Sequence, residues 1–140
     1  MGIVIDTNVW VLAEKAGGTL NLARWAHYEG AYMSAVTASE LLVSVEQANS
    51  PERRALRGAF VENLLAAVPV LDFSASVARA HARMMAALPK NVTAGAHGAL
   101  IAATAIHHGY AVLTRNVADF RLFAGLTIEA FHLPNAQETT

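Results

Sequence analysis

The sequence predicts an α/β protein with a parallel sheet covered by helices on both sides, and two observations lead to this prediction. Ile3-Val4-Ile5 is a run of three β-branched residues, which is typical of a strand buried on both faces. Short apolar segments then alternate along the chain with segments of helical periodicity. A chain of 140 residues is long enough for one core, so we expect a single domain over residues 1–133 and a polar C-terminal tail over 134–140.

Composition narrows the class of protein. Hydrophobic residues make up 54% of the chain and charged residues 15%, which indicates a folded protein. The net charge of −1 gives the protein no overall basic field, so any contact with nucleic acid must come from local clusters of the ten Lys and Arg. The chain has no cysteine and therefore no disulfide or thiolate metal site. No apolar run approaches the roughly 18 residues that span a bilayer, so we expect a soluble cytoplasmic protein without membrane contact.

Capping and turn residues divide the first half of the chain. Gly17-Gly18 ends the first predicted helix, Thr19 caps the second, and Gly30 ends it. The predicted elements in chain order are a strand at 3–5, helices at 9–16 and 19–30, a strand at 31–35 and a helix at 37–48.

The second half begins with a strong helix start, because Ser50 precedes Pro51 at the first helical position. An apolar stripe on this helix comprises Leu56, Phe60, Leu64 and Leu65. The later predicted elements are a strand at 68–73, a helix capped by Ser74, a helix at 95–108 closed by Gly109, and strands at 110–113 and 126–131.

Acids and amides stand at the boundaries of several predicted elements. Asp6 follows the first strand, Glu40 lies at the start of a helix, and Asn116 and Asp119 follow the strand that ends near Leu113. In open α/β sheets, active sites form at the carboxyl ends of the strands. Carboxylates gathered there without His or Cys suit Mg²⁺ or Mn²⁺, which can activate a water and clamp a phosphodiester.

Each of these residues also has a purely structural interpretation. Asp6 is a good helix cap, and Glu40 stands three residues after Thr37, as in a capping box. Asn116 and Asp119 are common turn residues. Spacing alone leaves these alternatives open.

Four segments in order give the chain a resemblance to the PIN-domain family, and within it to the VapC toxins of bacterial toxin–antitoxin pairs. The resemblance covers nearly the whole chain. The segments are Val4-Ile5-Asp6-Thr7-Asn8, Ser34-Ala35-Val36-Thr37-Ala38-Ser39-Glu40-Leu41, Leu100-Ile101-Ala102-Ala103-Thr104-Ala105 and Leu113-Thr114-Arg115-Asn116-Val117-Ala118-Asp119-Phe120.

The resemblance implies a three-layer α/β/α fold and a magnesium-dependent endoribonuclease that cuts tRNA or rRNA. It also implies a homodimer held silent by a VapB-type antitoxin. Asp6 and Glu40 match the first two metal-binding acids of the family, and Asn116 and Asp119 match the polar pair near its fourth position. Thr7, Asn8 and Thr114 match residues that orient the ligands or the attacking water.

The third acid of the family is missing from this chain. The family has an Asp directly before the segment Ala99-Leu100-Ile101-Ala102-Ala103, and Gly98 stands there. Glycine early in a helix costs about 1 kcal/mol relative to alanine, and the helix dipole favours an acid at such a position. We therefore expect the site to bind metal weakly and to cleave RNA slowly or not at all. Gly98 would result from either an engineered inactivating change or natural divergence.

Two further residues lie close in sequence to the predicted site residues. His97 is a quarter-turn away from position 98 on the helix, and imidazole suits Mg²⁺ poorly, so we expect a surface or core histidine there. Arg115 follows a strand end and is a candidate contact to an RNA phosphate.

The leading interpretation is a VapC-type endoribonuclease with Asp6, Glu40 and Asp119 as metal ligands. Asn116 and Thr7 would orient them, and Gly98 would mark the vacated position. The second is a catalytically silent protein of PIN fold that binds antitoxin or RNA, and the third is a magnesium-dependent phosphatase or phosphotransferase.

Overall fold

A five-stranded sheet forms the centre of the molecule, as given by a computed structural model that describes residues 1–18 and 20–132. The strands run in the spatial order β3-β2-β1-β4-β5, and every neighbouring pair is parallel. Thr19 and the predicted tail at 134–140 lie outside the described residues. The strands are β1 (Ile3–Ile5), β2 (Ala31–Ser34), β3 (Val70–Leu71), β4 (Ala111–Thr114) and β5 (Ile128–Ala130).

Helices connect the strands, as parallel pairing requires. Within the described residues they are α1 (Thr7–Lys15), α2 (Ala35–Glu46), α3 (Pro51–Ala67), α4 (Ala75–Ala86), α5 (Ala96–His108) and α6 (Val117–Phe120). A short 3₁₀ turn, Ala23–Trp25, follows α1.

The apolar core has two parts, one on each face of the sheet. Ile3 and Ile5 of β1 belong to a cluster with buried residues of α1, α2 and α3. Val4, between them, points to the opposite face and joins a cluster with residues of α4, α5 and α6. This alternation places helices on both sides of the strands. The predicted three-layer α/β/α fold is therefore confirmed.

Two predictions in the first half of the chain were wrong. The segment after α1 forms only one 3₁₀ turn in place of a helix, with the Asn21 side chain accepting from Ala23 N and Trp25 buried in the core. The next helix begins at Ala35 and not near Thr37, because the Ser34 side chain is its N-cap and accepts from Thr37 N at 3.1 Å.

Differences in the second half follow from position in the sheet and on the helix. Leu56 is 75% exposed and does not belong to the apolar face of α3, whereas Phe60, Leu64 and Leu65 pack on the core. The predicted strand at 68–73 is reduced to β3, which pairs with β2 alone. The short helix α6 was not predicted.

The described helices include none whose length and apolar character would allow it to cross a membrane.

Two glycines of α5 should respond oppositely to the same substitution. Gly109, the C-cap, has φ of +69°, so Gly109→Ala should lower the free energy of unfolding by about 1 kcal/mol. Gly98 lies inside the helix, where an added Cβ meets only Phe120 Cζ, at 4.0 Å. Gly98→Ala should therefore raise the free energy of unfolding by about 1 kcal/mol. Urea unfolding of both variants measures the two shifts, and equal signs would contradict the assigned backbone conformations.

Candidate active site

A cleft of about 180 Å³ lies at the carboxyl edge of the sheet, where β1 and β4 end and the first turns of several helices meet. Polar and charged side chains from separate parts of the chain line it beside a few apolar residues. The lining residues are Asp6, Thr7, Asn8, Glu40, Gly95, His97, Gly98, Ala99, Ile101, Asn116, Asp119, Phe120 and Phe123.

Asp6 lies at the back of the cleft, with 6% of its surface exposed. One carboxylate oxygen accepts a hydrogen bond from Thr7 N, and the other accepts from Thr114 Oγ1, each at 2.8 Å. Asp6 is the N-cap of α1, so the structural interpretation of this residue is also correct.

The pKa of Asp6 is raised above its ordinary value, chiefly because burial disfavours the charged carboxylate. The hydrogen bonds from Thr114 and Thr7 oppose this shift, whereas the negative charges of Glu40 and Asp119 add to it. Glu40 and Asp119 are therefore each near enough for their charge to act on Asp6.

Glu40 reaches the cleft from the second turn of α2. Its Oε1 accepts from Thr7 Oγ1 at 2.8 Å, and Thr7 Oγ1 is also 3.0 Å from Thr37 Oγ1. The suggested capping box was wrong, because the side chain that caps α2 and accepts from Thr37 N is Ser34. Glu40 is thus available to the cleft, with 30% of its side chain exposed.

Asn116 and Asp119 enter the cleft from the segment after β4. The backbone N–H of Asn116 donates to Thr114 Oγ1 at 2.9 Å, which joins this segment to the hydroxyl that holds Asp6. Asn116 is the N-cap of α6 without a side-chain capping bond, and Asp119 is exposed. Arg115 is also exposed but is not among the residues that line the cleft.

Gly98 and His97 line the cleft from the first turn of α5. The N-cap of this helix is Gly95, which provides no side-chain capping hydrogen bond. His97 Nδ1 lies 3.3 Å from Glu40 Oε2, with 64% of the His97 side chain exposed. The expectation of a surface histidine was right, but the expectation that it turns away from the site was wrong, because the first helical turn faces the cleft.

Oxygen atoms dominate the possible ligands in this cleft. Among residues 1–18 and 20–132, no group of three His, Cys, Asp or Glu side chains is already arranged to hold one metal ion. The carboxylates of Asp6, Glu40 and Asp119 nevertheless share the cleft. This donor set fits a hard divalent cation such as Mg²⁺, which keeps several waters and often takes only one or two carboxylates from the protein.

The fold brings most of the predicted site residues together. Asp6, Thr7, Glu40, Gly98, Asn116 and Asp119 all line the cleft. Sequence reasoning missed the contribution of His97 and the contact between Thr7 and Thr37. The contact between Thr7 and Thr37 joins residues 30 positions apart, and no spacing rule predicts it.

Comparison with known proteins agrees with this architecture. The family description of the PIN domain matches residues 3–126. The chain belongs to the PIN-domain family.

Within that family, the chain is similar to VapC ribonucleases over nearly its full length. Ribonuclease VapC1 of Rickettsia felis is 38% identical over 129 residues, which cover 91% of this chain and 95% of that protein. The tRNA(fMet)-specific endonuclease VapC of Shigella flexneri is 27% identical over 128 residues, which cover 90% and 95% of the two chains.

Solved structures show the same fold. VapBC2 of Rickettsia felis bound to a promoter DNA fragment matches with a TM-score of 0.80 at 22% identity, over 94% of this chain and 100% of the other. DNA-bound VapBC of Salmonella typhimurium matches with a TM-score of 0.79 at 26% identity, over 93% and 98%.

The raised pKa of Asp6 predicts a stability change for Asp6→Asn. An acid whose pKa is higher in the folded protein favours folding below its unfolded value of 3.8, and this contribution is lost as pH rises through the folded value. Removing the buried charge should therefore increase the free energy of unfolding at pH 7 without metal, by on the order of 1 kcal/mol.

Urea unfolding in a chelator, from pH 3 to pH 7, measures this difference, which should shrink toward the acidic end. Asp72→Asn is the control, because Asp72 is exposed and lies outside the cleft. A destabilised Asp6→Asn variant at pH 7 would show that the hydrogen bonds of the charged form outweigh its burial.

Proposed function

We propose that this protein is a metal-dependent endoribonuclease of the VapC type, using Mg²⁺ or Mn²⁺ to hydrolyse RNA phosphodiesters. The single observation that carries the proposal is the convergence of Asp6, Glu40 and Asp119 on one small cleft. Burial is the chief cause of the raised pKa of Asp6, and the negative charges of Glu40 and Asp119 add to it. A divalent cation would offset the cost of keeping this carboxylate charged.

Asp6, Glu40 and Asp119 would hold the ion. When bound, such an ion lowers the pKa of a water and stabilises negative charge on phosphodiester oxygens during in-line attack. Both Asp6 oxygens already accept hydrogen bonds at 2.8 Å, which fixes the direction of their remaining lone pairs. This preorganisation favours binding because the carboxylate loses little further freedom.

Thr7, Asn116 and Arg115 would act on the ligands and the substrate. Thr7 Oγ1 donates to Glu40 and keeps this long side chain directed at the cleft. Asn116 offers an exposed amide at the mouth of the cleft, where it can orient a water or substrate oxygen. Arg115 is exposed next to it and would contact a phosphate outside the cleft.

Gly98 should make this chain a weak nuclease. The family resemblance places an acid at this position, and its absence removes one negative charge from the cleft. With less charge, the cation is held less tightly and more water fills its coordination shell. We therefore expect slow or undetectable cleavage by the chain as written.

Relatives suggest the substrate and the partner. The Shigella flexneri relative is named as a tRNA(fMet)-specific endonuclease, which supports tRNA, with rRNA as the other expected substrate. Similar solved structures are VapBC complexes, which supports a VapB-type antitoxin as partner. A homodimer remains part of the proposal through the family resemblance.

Gly98→Asp tests the proposed function. In Mg²⁺ the variant should cleave RNA at least about tenfold faster than the chain with Gly98, because loss of even an outer partner of a metal ligand typically costs about 10–100-fold in activity. The new side chain fits, since a Cβ at position 98 meets only Phe120 Cζ, at 4.0 Å. Cleavage of labelled tRNA and rRNA, with and without chelator, measures the gain.

Gly98→Asn is the matched control, because it adds the same shape without the charge. It should leave cleavage near the starting level. Equal activities of the Asp and Asn variants would contradict a role for the missing charge.

Thr7→Val should lower cleavage in the Gly98→Asp background by about tenfold, because the hydroxyl that holds Glu40 is lost without a change in shape. Thr7→Ser keeps the hydroxyl and should retain most of the activity. Single-turnover cleavage and Mg²⁺ titration measure the effect. If the Val and Ser variants behave alike, Thr7 does not act through its oxygen.

Gly98 also favours a second candidate function, a PIN-fold protein that binds RNA or antitoxin without cleaving. Under this alternative, the Gly98→Asp variant would bind RNA in a gel-shift assay and remain unable to cut it.

A further inference from the structure

We propose that His97 is a nitrogen ligand in the cleft and that, with Glu40, it makes the site select a divalent transition-metal ion such as Co²⁺ or Zn²⁺ over Mg²⁺. The inference rests on the proposed metal dependence of this cleft and adds the class of metal. It begins from the contact between His97 Nδ1 and Glu40 Oε2, which lie 3.3 Å apart beside Gly98.

The separation of these two atoms matches a pair of ligands on one ion. Atoms about 2.1 Å from a shared ion are about 3.0 Å apart at a right angle and about 3.4 Å apart at a tetrahedral angle. The observed 3.3 Å lies within this interval. At this distance the two side chains also contact each other directly, so an ion that they share would replace that contact.

The two side chains come from different elements and are both accessible. Glu40 extends from α2 and is fixed at its other oxygen by Thr7, while His97 extends from the first turn of α5. His97 is 64% exposed and Glu40 30% exposed, so an ion can reach the space between them. Because described residues supply no ready three-ligand group, water or the nearby carboxylates would complete the coordination.

Replacement of an acid by Gly98 alters the chemistry of this wall of the cleft. An all-oxygen set suits Mg²⁺, whereas imidazole suits Zn²⁺, Co²⁺ and other first-row ions. With no side chain at position 98, His97 is the only residue in the first turn of α5 among the lining residues that offers a ligand atom. Without an acid at position 98, the cleft has less of the negative charge that favours Mg²⁺ binding, whereas the imidazole nitrogen of His97 is present.

Metal titration of the full-length chain tests the inference directly. Wild type, His97→Ala and His107→Ala are each titrated with Co²⁺ and with Mg²⁺ by calorimetry, and the visible absorption of bound Co²⁺ is recorded. His107 is the control because it is an exposed histidine near the other end of the same helix. An exposed polar contact contributes little to stability, so His97→Ala should remain folded, which circular dichroism checks.

We expect His97→Ala to raise the Kd for Co²⁺ by about tenfold or more and to change the Co²⁺ spectrum, while the Kd for Mg²⁺ changes by less than about twofold. His107→Ala should match wild type for both ions. Equal Co²⁺ binding by wild type and His97→Ala, or equal loss for both ions, would overturn the inference. Absence of Co²⁺ binding to wild type would overturn it as well.

Failure of the inference is distinguishable from failure of the proposed function. If the His97→Ala variant still cleaves RNA in Mg²⁺ and the protein shows no preference between metals, only the proposed role of His97 is contradicted. The opposite result is also possible: Co²⁺ binds selectively through His97, but neither wild type nor Gly98→Asp cleaves RNA in either metal. That result contradicts the proposed nuclease activity and supports His97 as a metal ligand.

Discussion

The buried carboxylate of Asp6 connects the central strand, the neighbouring strand and the following helix. The backbone N–H of Asp6 donates to Leu113 O. One oxygen of its side chain caps α1, and the other accepts from Thr114 Oγ1 at the end of β4. The position of α1 relative to β4 therefore depends on an acid that burial makes unfavourable to ionise. Such conflict between stability and charge is characteristic of functional sites.

A chain of hydroxyl groups extends this arrangement from the core to the cleft. Ser34 caps α2, Thr37 Oγ1 lies 3.0 Å from Thr7 Oγ1, and Thr7 donates to Glu40. Ser34 and Thr37 are fully buried, so each hydroxyl needs a partner within the protein. Glu40 is thus directed into the cleft by contacts that also satisfy buried polar groups, and the start of α2 at Ala35 sets their register.

The sequence predicted the layers from local rules, whereas several cleft residues, Gly98 among them, were predicted through the family resemblance. A β-branched run before Asp6 predicts a buried strand, and parallel strands bring their carboxyl ends to one edge. Non-local contacts were not predictable in this way. The 3₁₀ turn at Trp25 depends on burial of its indole, Leu56 is exposed despite its helical spacing, and His97 meets Glu40 only because α2 and α5 approach each other.

Packing does not explain why glycine occupies position 98. An added Cβ would make only an ordinary contact with Phe120, and helix propensity favours almost any other residue. The consequence of Gly98 is therefore electrostatic: the uncapped first turn of α5 faces the carboxylates without contributing an acid. The side of the cleft formed by α5 therefore offers a cation the imidazole of His97 and no carboxylate. We therefore expect this cleft to differ from the family pattern in its metal preference more than in its shape.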